Sequence, residues 1–148
     1  MEGDAGMKPI PMQGIDDCWR ACLATILEVD YEDVPYFGRM DDPESHKDWL
    51  EKSLEFLGGF GLNYIEFQKP EDEVHRNQIL RGYHIIVGKS KIFPDFKHAV
   101  VAKDGLIVWD PNPREGAGIV PGTETYGVFI AMNPAEMLIT PRWEAEKP

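Results

Sequence analysis

KHAVVAKDGLIVWDPNP, residues 97–113, carries two apolar, β-branched runs on either side of Asp104-Gly105. Such a pattern predicts a β-hairpin. The first arm opens with His98 and the second closes with Asp110. A three-residue turn, Lys103-Asp104-Gly105 with Gly105 left-handed, pairs Ala102 with Leu106. His98 then sits opposite Asp110 on one face, with β-carbons roughly 4.5–5.5 Å apart. A two-residue turn sends the two to opposite faces, because a one-residue slip reverses a strand.

Working back from the hairpin, QGIDDCWRACLATILEV (residues 13–29) has helical periodicity. Trp19, Cys22, Leu23, Ile26 and Leu27 fall on one apolar stripe of a helix over about residues 17–29. Asp16 or Asp17 suits its N-cap, and Cys18 lies in its first turn, just off the stripe. A second helix is expected after DDPES, with Pro43 in its first turn and Gly58-Gly59 at its end. Residues 1–12 read as an extended lead-in, and residues 31–37 as an irregular link. Short strands are expected over about 62–68, 83–88 and 126–132, with a short helix or turn between the first two. Residues 111–122 read as a loop, and the last dozen as a surface tail anchored by Trp143. Helices come first and antiparallel strands follow, so the fold class is α+β, in one domain spanning residues 1–148.

The chain has 15 basic against 26 acidic residues, a net charge of −11. Phosphate backbones and anionic membranes need clustered Lys and Arg, so neither nucleic acid nor a membrane surface is expected as a partner. No apolar run reaches the roughly 18 residues of a membrane span, and MEGDAGMKPI lacks the basic-then-apolar pattern of a signal peptide. Two cysteines spaced four apart make neither a disulfide scaffold nor, alone, a zinc site. They are expected as free thiols in a reducing, cytoplasmic setting.

The two cysteines have different readings. Cys22, one turn into the helix, packs in the core. Cys18 meets the free N–H groups and positive end of the helix, which favour a thiolate. A cysteine nucleophile also needs a base and a group to orient it. His46 and His75 lie in polar surroundings and read as surface residues, whereas His84 and His98 lie on strands. Singly, His98 and Asp110 have structural readings, the latter as the cap of a DPNP turn. Jointly with Cys18 they make a Cys-His-Asp set. Gln13 adds a side-chain amide able to donate to an oxyanion, and Asn112 is a second amide near the histidine.

QGIDDCW followed by ACLATIL resembles the active-site helix of papain-like cysteine peptidases, closest to the bacteriocin-leader-processing branch that cuts after double glycine. HAVVAKDGLIVWDPNP resembles that branch's His-led strand and Asp-Pro-terminated strand. The two blocks cover about 35 residues and come in the expected order. Small phage and bacterial proteins share this layout. The resemblance implies a papain-like fold with Cys18 as nucleophile, His98 as base and then acid, Asp110 as orienting residue and Gln13 as oxyanion donor. Gln13 lies five residues before Cys18, where the family more often has six. Trp19 replaces the small residue common after the cysteine in that branch, and a bulky residue there is expected to narrow the cleft.

The expected activity is a thiol hydrolase that cuts a peptide, isopeptide or amide bond through a thioester, without a metal or organic cofactor. Its partner is then a peptide or protein substrate. Two alternatives remain: a deamidase or acyltransferase using the same residues, and a non-catalytic binding or inhibitor protein on the same fold. Thiol redox chemistry lacks its usual C-x-x-C signature.

Overall fold

A computed structural model describes residues 7–40, 42 and 44–132 of the protein. Asp41, Pro43 and the expected tail with Trp143 lie outside the described residues. The elements in chain order are α1 (Cys18–Leu27), a 3-10 turn (Tyr31–Asp33), α2 (His46–Gly58), β1 (Leu62–Phe67), α3 (Glu73–Ile79), β2 (Tyr83–Lys89), β3 (Lys97–Lys103), β4 (Leu106–Trp109) and β5 (Thr125–Ala131). The strands form one antiparallel sheet in the order β1-β5-β2-β3-β4. The class is α+β, with the helix that begins at Cys18 packed on the sheet.

Alternation sorts the central strands into two faces. Ile85, Val87, Ala99 and Val101 pack under α1 together with Leu23, Trp49 and Leu57. Ile86, Val100 and Ala102 point the other way and join Leu80, Ile119 and Tyr126. Trp19 ties α1 to α2 and β1: its indole N–H donates to Ser53 Oγ at 3.0 Å, and its ring meets Trp49 and Tyr64 at 5.1 and 4.8 Å. The expected narrowing of a cleft by Trp19 is therefore corrected, because the side chain is 3 % exposed and faces the core.

The lead-in is also a structural part. Ile10 N–H donates to Thr25 Oγ1 and Met12 N–H to the Pro111 carbonyl, while Trp109 Nε1–H donates to the Ile10 carbonyl. Residues 10–12 thereby bridge α1 and the chain leaving β4. No helix among the described residues is long and apolar enough to cross a membrane.

The hairpin differs from expectation at its turn. Lys103 pairs with Leu106, leaving a two-residue turn of Asp104 (φ 52°) and Gly105 (φ 86°). Both residues have positive φ, which defines the tight I′ turn that Asp-Gly favours. Its partner is His84 on β2, whose Nε2 accepts the Gly105 N–H at 3.0 Å. His84 is buried, and burial lowers its pKa from the usual histidine value. It is a turn-holding residue.

Candidate active site

A two-residue turn alone would part His98 from Asp110. A second irregularity offsets it: Ala102 pairs with Ile107, but the next residue, Val101, pairs with Trp109. Val108 is the extra residue of a β-bulge. Turn and bulge each shift the register by one, and together they return Asp110 to the face of His98. Trp109 lies opposite Val101, so Asp110 comes at the level of Val100, diagonal to His98. Asp110 Oδ1 and His98 Nε2 are 2.6 Å apart. The same oxygen accepts the Asn112 N–H at 2.9 Å. Asp110 thus caps the DPNP turn and holds the histidine with one atom.

Cys18 approaches from the other face of the sheet. β4 ends at Trp109, and further along β3 the partners of Ala99 are thiols. The Ala99 N–H donates to Cys18 Sγ at 3.3 Å, and Cys22 Sγ donates to the Ala99 carbonyl at 3.4 Å. The sulfur of Cys18 therefore sits at the open edge of β3, beside the residue that precedes Ala99, which is His98. The Cys18 thiol is close enough to the His98 ring to help raise its pKa. Since Nε2 is engaged by Asp110, Nδ1 is the ring nitrogen left for the thiol.

The electrostatics follow from this placement. Burial by itself pushes the His98 imidazole down, but Asp110 and Cys18 beside it outweigh burial and raise its pKa from 6.5 to about 9. A protonated His98 is what a neighbouring thiolate requires. Cys22 is the opposite case: burial, with Cys18 and Asp110 near, raises its thiol well above the ordinary value. Cys22 belongs to the core, as its helical position implies.

Gln13 is exposed in the loop just before α1. Its backbone N–H donates to Asp17 Oδ2 at 3.1 Å, and its side chain takes no part in the contacts that join Cys18, Ala99, His98 and Asp110. Asn112 is buried, with its side-chain oxygen taken by Arg114, so it serves the turn. His46 and His75 are exposed. His46 Nδ1 lies 2.6 Å from the Met40 carbonyl, and His75 Nδ1 lies 2.6 Å from Asp72 Oδ2. Among the described residues, no group of three or more His, Cys, Asp or Glu is placed to hold a metal ion.

Sequence reasoning missed the Ala99 N–H, because a backbone donor has no residue signature. Of the two expected caps, Asp16 and Asp17, the latter holds the position but makes no side-chain cap bond.

No protein-family model, curated protein or solved structure matches the chain.

Proposed function

We propose that this chain is a papain-like thiol hydrolase, in which Cys18 attacks the carbonyl carbon of a peptide, isopeptide or side-chain amide. The observation that carries the proposal is the position of His98, bonded to Asp110 and next in the chain to Ala99, whose N–H meets Cys18 Sγ at 3.3 Å. The His98 imidazolium and the Ala99 N–H together stabilise a Cys18 thiolate. The thiolate forms a C–S bond, and the carbonyl oxygen becomes an oxyanion. The Gln13 side-chain amide and the Cys18 backbone N–H are the donors for it. His98 passes its proton to the leaving nitrogen as the C–N bond breaks, leaving a thioester. His98, now neutral, takes a proton from water, which releases the acid and restores the thiolate. An amine acceptor in place of water makes the same site an acyltransferase.

Cys18 is 2 % exposed and His98 3 %. Such deep burial favours a slim extended segment or a side-chain amide as substrate over a folded surface.

The test is alkylation of Cys18 and Cys22 by iodoacetamide across pH, resolved by peptide mass, in the wild type and in His98→Ala. Cys18 is expected to react well below the free-thiol pKa of about 8.5, to lose that advantage in His98→Ala, and to outpace Cys22 throughout. Ordinary thiol behaviour of Cys18 in both proteins overturns the proposal. A cellular effect that survives Cys18→Ala indicates a binding protein instead.

A further inference from the structure

The loop carrying Gln13 is fastened to the rest of the molecule by a buried carboxylate. Asp17 Oδ1 accepts the Gly14 N–H at 2.9 Å, and Oδ2 accepts the Gln13 N–H at 3.1 Å and the Tyr31 hydroxyl. Asp17 is 5 % exposed. Tyr31 is in turn clamped by Arg20, whose guanidinium lies 3.9 Å from the ring centre and whose Nε donates to the Tyr31 carbonyl at 3.2 Å. A neighbouring pair repeats the device: Tyr36 donates to Asp16 Oδ2 at 2.6 Å. The link after α1 thereby grips the loop before it at two points.

Two features separate this from ordinary loop packing. An aspartate at an N-cap would normally take up the first-turn N–H groups. Asp17 makes no such bond. Its three donors instead fix the loop immediately upstream of the nucleophile. A buried carboxylate with three donors is a costly arrangement unless its bonds are all kept.

From this geometry we infer that Asp17 is a positioning residue: it fixes the loop that presents Gln13 to the oxyanion. This rests on the hydrolase reading above and adds a separable claim. Asp17 acts on the step that makes an oxyanion, not on the formation of the thiolate.

Two reagents divide those steps. With 4-nitrophenyl acetate the Cys18 thiolate forms a C–S bond through an oxyanion, and the electron pair of the breaking C–O bond leaves with 4-nitrophenolate. Iodoacetamide is displaced at a saturated carbon, with iodide leaving and no oxyanion formed. In Asp17→Asn the burst rate of 4-nitrophenolate release is expected to fall at least 10-fold, with Cys18 alkylation within 2-fold of wild type. Tyr31→Phe removes one donor of three without emptying the site, and is expected to lower the same ratio about 3-fold. Gln13→Ala is expected to match Asp17→Asn, and the double variant to be no slower than either. Equal losses in both reactions, an unchanged ratio, or an additive double variant overturn the inference. A wild type with an unactivated Cys18 overturns the hydrolase reading instead, and the alkylation arm reads that separately. If Asp17→Asn does not fold, the Tyr31→Phe ratio decides.

Discussion

Asp110 Oδ1 bonds His98 Nε2 across the hairpin because the bulge at Val108 undoes the face change made by the two-residue turn. The carboxylate is also fixed by the Asn112 N–H, so it meets the imidazole without having to be ordered first. Asp110→Asn keeps the shape and removes the charge. Burial then acts on His98 with less opposition, and its pKa is expected to drop from about 9 by at least one unit, or about 1.4 kcal/mol. Titration of the His98 ring signals by NMR checks this, and an unchanged pKa would show that Asp110 does not hold the proton.

The same histidine gives stability a basic limb. Its folded pKa lies above its unfolded value of 6.5, so the folded state binds the proton more tightly. That contribution is complete below about pH 6.5 and is lost as pH rises through about 9, with a size of roughly 3 kcal/mol. His84 has the opposite sign. Burial lowers its pKa, so its contribution is present above 6.5 and lost as pH falls below. Urea unfolding from pH 5 to 9.5 is read in Cys18→Ser, which removes proton release by the thiol from the balance, and is expected to show the basic decline there and a flattened one once His98→Asn is added. A Cys18→Ser protein whose stability is level between pH 7 and 9 contradicts the His98 assignment.

Trp19 supplies a stability prediction that also separates core from cleft. Trp19→Phe keeps most of the ring contacts with Trp49 and Tyr64 but leaves the buried Ser53 hydroxyl without its donor. The expected cost is about 1–2 kcal/mol, against about 3–5 kcal/mol for Trp19→Ala. Cys18 alkylation in Trp19→Phe should match wild type within 2-fold. A large change in reactivity with little change in stability would return Trp19 to the site.

Much of this arrangement was legible because periodicity and turn chemistry are local. The stripe from Trp19 to Leu27 defined α1, and the runs around Asp104-Gly105 defined the hairpin. The pairing of His98 with Asp110 was foreseen through a turn of the wrong length. Asp-Gly serves two- and three-residue turns alike, and no residue in LIVW announces a bulge. Capping is the local use of an aspartate at residues 16 or 17; the bond from Tyr31 to Asp17 forms only when the link folds back. The Ala99 amide is available to Cys18 because β4 stops at Trp109, a boundary set by tertiary contacts with Ile10 and Pro111.

Gly88 faces His98 across the β2–β3 pair, and its lack of a side chain is structural. A methyl there would lie 2.3 Å from Ile119 Cγ2 and 2.9 Å from Thr123 Oγ1. Neither neighbour yields easily. Ile119 is buried and pairs with Ser90 in an isolated bridge. Thr123 Oγ1 accepts the Lys89 N–H at 3.0 Å and donates to the Val120 carbonyl at 2.6 Å. Gly88→Ala is therefore an overpacking change, expected to cost about 1–3 kcal/mol. Ile119→Ala removes the clashing methyl and alone is expected to cost about 2–5 kcal/mol through the cavity it leaves. Because the new methyl fills part of that cavity, the double variant should lose at least about 1 kcal/mol less than the two single costs combined. Urea melts of the four proteins measure this coupling, and additive costs would mean that Ile119 is not what excludes a side chain at residue 88.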